Sequence, residues 1–100
     1  MYLLKLSNSE HHALIDDEDM PWVCQWTWFL KSHMRMQHVA RSQREGDRVK
    51  TIYLHRAIMG VACEGFDVHH RNGNIFDNRR INLETVTGHH HFTPVDEIPF

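Results

Sequence analysis

Short apolar-rich runs alternate with polar clusters along the whole chain, and the spacing within the runs predicts strands more often than helices. YLLKL at 2–6 and HALID at 12–16 read as two strands of a hairpin, with Ser7, Asn8 and Ser9 in the turn between them. Asp16, Asp17, Glu18 and Asp19 then precede Met20-Pro21-Trp22-Val23. Carboxylates and a proline in a first turn favour a short helix, because they suit its free N–H groups and its dipole, so the acidic run reads as a helix start rather than a metal site. Trp26, Trp28 and Leu30 alternate with Thr27 and Phe29, which predicts a strand whose aromatics build the core.

HMRMQHVAR at 33–41 and RVKTIYL at 48–54 are two more strand candidates, separated by SQREGD, whose Gly46-Asp47 suits a turn. Their charges make this a basic β-ribbon, readable equally as a phosphate-contacting surface or as an edge hairpin with solvated side chains. LHRAIMG at 54–60 has helical propensity, and Gly60 can end the helix. Beyond it, Phe66-Asp67-Val68 leads as a strand into His69-His70, and Arg71-Asn72-Gly73-Asn74 is turn chemistry. Asp77 to Arg80 suits a brief helical turn, and residues 82–87 a final strand; Pro94 limits any helix that carries the triplet His89, His90 and His91. The expectation is an α+β chain, with a β-rich region over 1–60 packed on a second element over 61–100 as one compact domain.

One hundred residues suffice for one core and not for two. No apolar run approaches the roughly 18 residues of a membrane helix, and the amino terminus lacks a signal-type stretch, which leads to the expectation of a cytoplasmic protein without membrane partners. Cys24 and Cys63 form no CxxC pair, so they read as buried reduced thiols. The net charge of −2 would discourage a polyanion partner if it were evenly spread. It is not: residues 31–80 hold ten basic against five acidic residues, and the rest of the chain one against eight.

The segment DVHHRNGNIFDNRRINLETVTGHHHF, from Asp67 to Phe92, holds five of the ten histidines in two clusters with four asparagines between them. The triplet is followed by nine further residues of ordinary sequence, unlike a purification tag. Adjacent strand residues point to opposite faces, so His69 and His70 suit a division of labour. One imidazole can bind a divalent cation together with a histidine of the triplet while the other takes a proton from water, since histidine titrates near pH 6.5. That pairing suits phosphodiester hydrolysis, which needs an activated water and a cation against the developing negative charge.

LHRAIMG followed by DVHHRNGNIFDNRRINLETVT resembles the HNH nuclease family, in its branch of small phage and homing endonucleases, whose members commonly read LHR…(D/H)H-x-NGN-x-x-DNR-x-x-NL-x-x-VT. The likeness spans about residues 53–91 and several linked motifs, which makes it far more specific than one short pattern. It implies a ββα-metal motif with His70 as general base and His69 as metal ligand. Asn82, twelve residues past His70, matches the asparagine that braces the loop holding the base. His91 matches the second metal ligand on the following helix, with His89 and His90 as neighbours able to substitute.

The resemblance thus implies a DNA endonuclease dependent on one divalent ion; two imidazoles permit Zn²⁺, Mn²⁺, Ni²⁺ or Mg²⁺. DNA contacts are expected from Arg41, Arg44, Arg48 and Lys50 of the ribbon and from Arg56, Arg71, Arg79 and Arg80. With no helix long enough to read a major groove, the expectation is a nicking enzyme of low to moderate sequence preference, a monomer or weak homodimer that takes any tighter targeting from phage or host proteins. A degenerate module that only binds DNA, or an interaction protein with structural zinc, are the alternatives.

Overall fold

The computed structural model describes residues 1–33, 35–60 and 66–87. Over these residues it is a small, β-rich α+β fold with three antiparallel sheets and two short helices. Strands β1 (Tyr2–Lys5) and β2 (His12–Ile15) pair from Tyr2 opposite Ile15 to Lys5 opposite His12. Leu4, Ala13 and Ile15 face inward while Leu3 and Lys5 do not, the alternation that one buried face demands. Asn8 in the intervening turn imitates a strand neighbour: its side-chain amide donates to the Leu30 carbonyl at 2.9 Å and accepts from the Leu30 N–H at 2.7 Å.

The acidic run forms a 3₁₀ turn over Asp17–Asp19 and leads into α1 (Met20–Val23), as the sequence suggests. The carboxylates do not cap it, however, since neither helix start has a side-chain cap bond. Asp19 is buried and accepts from Trp22 Nε1 at 3.0 Å and from Arg80, which reaches it with Nε at 3.0 Å and Nη2 at 2.7 Å. Asp16 accepts the Arg80 backbone N–H at 2.9 Å. The Arg80 guanidinium holds the Asp19 carboxyl below its ordinary pKa.

The second sheet has the order β3 (Phe29–His33), β4 (Met36–Glu45), β5 (Arg48–Tyr53). It begins three residues later than the Trp26 expected from alternation, and the two tryptophans part company. Trp28 is 1% exposed with its Nε1 donating to the Val23 carbonyl at 2.8 Å, whereas Trp26 is 41% exposed. The 33–41 run is also interrupted: Arg35 at φ 77° turns the chain between His33 and Met36. Conversely, Ser42 to Glu45 belong to β4, because the hairpin closes on Gly46-Asp47 alone, with Glu45 opposite Arg48.

Helix α2 (Leu54–Met59) ends at Gly60, whose φ of 71° is the left-handed conformation that glycine adopts without steric cost. Its Leu54 and Ile58 join Leu4, Leu6, Val23, Trp28, Val39, Val68 and Leu83 in the core. The third sheet pairs β6 (Phe66–His70) with β7 (Leu83–Thr87), and the brief helical turn expected at 77–80 falls at Arg80–Asn82 instead. Leu14 of β2 bonds across to the connecting loop, donating to the Phe76 carbonyl at 2.7 Å and accepting from the Asn78 N–H at 2.8 Å. Cys24 is exposed rather than buried, lying just past the end of α1, and Cys63 lies outside the described residues. Among the described residues no helix is long and apolar enough to cross a membrane.

Candidate functional site

His69 and His70 are the last two residues of β6, and the loop after them is held by its own asparagine and aspartate side chains together with backbone bonds, among them those to Leu14. Asn72 Oδ1 accepts the Asn74 N–H at 2.9 Å, and Asn74 Oδ1 accepts the Phe76 N–H at 3.0 Å, two successive Asx turns. Asn82 spans the loop's base, accepting the Asn72 N–H at 3.1 Å and donating to the Asp77 carbonyl at 2.8 Å, while its own carbonyl takes the Arg71 N–H at 2.7 Å. Asp77, 2% exposed, is gripped by Arg79 through Nε at 2.8 Å and Nη2 at 2.7 Å. That guanidinium keeps the Asp77 carboxyl below its usual pKa.

His70 is half-buried, with Nε2 2.9 Å from Asn78 Oδ1. Two further imidazoles that sequence reasoning did not place here crowd against it. His55 of α2 lies 5.1 Å from the His70 ring centre, and His38 of β4 lies 6.3 Å from it and 4.8 Å from His55. Tyr53 meets His38 edge-on at 5.7 Å. Burial, then the neighbouring imidazoles, pulls His55 down to about 3, and His38 is lowered for the same reasons. Burial lowers His70 too, against the opposing pull of the Asn78 bond, so its ring is neutral at pH 7 and able to accept a proton.

His69 is exposed, sits opposite Glu84 on β7, and shares with His70 a cleft walled by Met36, His38, Tyr53 and His55. Its exposed imidazole suits an open metal position. No three His, Cys, Asp or Glu side chains among the described residues are arranged to hold an ion. The expected second ligand His91, with His89 and His90, lies outside the described residues.

The eight basic residues expected to touch DNA are distributed unequally. Lys50 and Arg56 line the cleft, Arg56 within 3.4 Å of Asp67. Cross-strand register puts Arg44 and Val49 on one face of the ribbon and Arg48, Lys50 and Arg41 on the other. Arg41 lies over the Trp26 ring at 4.0 Å, its Nε buried without a hydrogen-bond partner among the described residues. Arg71 is exposed, 3.6 Å from Glu84. Arg79 and Arg80 are committed to Asp77 and Asp19, which leaves less net charge to offer a phosphate than the sequence implied.

His38 could have been found from the alternation of Met36, His38 and Ala40, had the ribbon's register been known; Asn78 was legible only as a turn former. No protein-family model, curated protein or solved structure matches the chain.

Proposed function

We propose that the chain is a divalent-metal-dependent DNA endonuclease of HNH type, with His70 as general base. The observation that supports this best is the half-buried His70 fixed at Nε2 by Asn78, beside the exposed His69, on a loop whose base Asn82 holds. In this reading water loses a proton to His70 as its oxygen forms a bond to phosphorus and the bond to the leaving oxygen breaks. His69, with His91, would hold the ion, whose contribution is to stabilise negative charge on the reacting phosphate. Lys50 and Arg56, together with Arg44, Arg48 and Arg71, would contact the phosphate backbone, and one such centre would cut one strand per engagement.

The test is incubation of supercoiled plasmid with the protein and Mg²⁺, Mn²⁺, Ni²⁺ or Zn²⁺, with EDTA and His70→Ala as controls. Nicked circles that accumulate before linear DNA, with scattered ends, are expected. Binding without cleavage under every ion would reassign the chain to DNA binding alone, and linear product at one long site would replace the nicking reading.

A further inference from the structure

Asn78 is 1% exposed, and its side-chain amide has only one sensible orientation. Its Nδ2 faces the carbonyl oxygens of Ile75 and Phe76, both at 3.3 Å. Flipping the amide would set Oδ1 against those two carbonyl oxygens, a buried oxygen-to-oxygen contact with no hydrogen between them, although the Phe76 carbonyl would keep its Leu14 donor. Oδ1 is therefore the atom that meets His70 Nε2 at 2.9 Å, and an amide oxygen can only accept. The nitrogen facing it must carry the proton.

We propose that Asn78 is a positioning residue that selects the Nε2–H tautomer of His70 and so leaves Nδ1, with its lone pair, as the nitrogen that accepts a proton. The selection is built into the fold at one remove. The Asn78 N–H is tied to the Leu14 carbonyl of β2 at 2.8 Å, so the amino-terminal hairpin fixes the backbone from which the amide reaches the ring. The packing of His55 and His38 limits how far the ring can turn away. The catalytic consequence rests on the nuclease reading; the tautomer does not.

The experiment is long-range ¹H–¹⁵N correlation on histidine-labelled protein above the imidazole titration range, alongside plasmid nicking. Wild-type His70 is expected to show a protonated Nε2 with a slowly exchanging, directly visible N–H, and an unprotonated Nδ1. Asn78→Ala should lose that visible proton and lower kcat roughly 10- to 100-fold at unchanged KM, less than the about 10²–10⁴ that a general base supplies.

Asn78→Asp separates acceptor from scaffold. It keeps an oxygen facing His70 but turns its second oxygen on the Ile75 and Phe76 carbonyls. It should retain the Nε2 proton, recover more turnover than Asn78→Ala, and move the pH profile upward. A purely structural role predicts the reverse order, with Asp worse than Ala. A proton on Nδ1 of wild-type His70, or an unchanged Nε2 signal in a folded Asn78→Ala, overturns the proposal. A wild type that shows the Nε2 proton yet cuts no DNA with any ion leaves the tautomer assignment standing and removes the nuclease reading.

Discussion

The His38 and His55 rings lie nearly parallel, 20° between their planes and 4.8 Å between their centres, with the base candidate His70 against both. Two protonated imidazoles at that separation would repel, and His55 has little water to solvate a charge. The cluster is therefore stable as neutral rings.

That fixes the sign of the acid response. His38, His55 and His70 all have folded-state pKa values below the ordinary 6.5, so between the two values the unfolded chain binds more protons. Their stabilisation is whole above about pH 6.5. It is lost as pH falls toward the folded values, about 3 for His55. Thermal unfolding followed by circular dichroism should show Tm dropping between about pH 7 and about pH 4.5, and His55→Phe, which keeps a ring without a proton site, should flatten the drop. An equal slope in that variant would remove His55 from the effect.

Arg80→Ala should act on stability rather than on DNA. Among the described residues it leaves the buried Asp19 carboxylate with the Trp22 N–H alone, a loss of roughly 1–3 kcal/mol once the partial exposure of Arg80 is allowed for. Urea denaturation measures it, and the salt dependence of DNA binding should not change. A shift under about 0.5 kcal/mol would mean that the pair contributes no more than a surface one.

His70→Ala and Asn82→Ala should fail differently. The first is expected to lose about 10²–10⁴ in nicking rate with little change in Tm. The second removes a buried side chain bonded to Asn72 and Asp77, so it should lower Tm as well as the rate and keep the wild-type pH profile. Asn82→Ala with wild-type Tm and wild-type rate would show that the loop needs no brace.

The ribbon can be tested by separating Arg41 from its other basic residues. Replacing Arg44, Arg48 and Lys50 together should flatten the plot of log affinity against log salt by about 0.9 for each phosphate that is no longer neutralised. Arg41→Ala should change that slope less, because its guanidinium lies on Trp26 with its Nε out of water. Equal effects would show that Arg41 leaves the tryptophan when DNA binds.

Much of the fold was legible where alternation and turn residues agree, as at β1, β2, β5 and α2 with its Gly60 stop. The errors fall where local patterns compete. Trp26 and Trp28 have identical periodicity, but only Trp28 reaches the core, because the strand begins at Phe29 and Trp26 remains outside beside Arg41. The acidic run looked like a set of helix caps, and its real partner, Arg80, is 61 residues from Asp19 and invisible to any local pattern. Separation in sequence also hid His38 and His55 from the site: His38 is an ordinary strand residue and His55 only part of the LHR element, without a role, until β4 and α2 pack against β6.

The bonds from Leu14 to the loop at Phe76 and Asn78, with those from Asp16 and Asp19 to Arg80, close chain loops of more than sixty residues. Such closure carries an entropic cost that nearby contacts do not, and it delays the step that forms them. During synthesis the first hairpin must therefore wait for its contacts to the loop, and Asp19 for its cation, until the third sheet emerges. A segment cut from residue 61 onward would lose both anchors, and grafting it onto another protein should yield a loop that does not hold His70 in place.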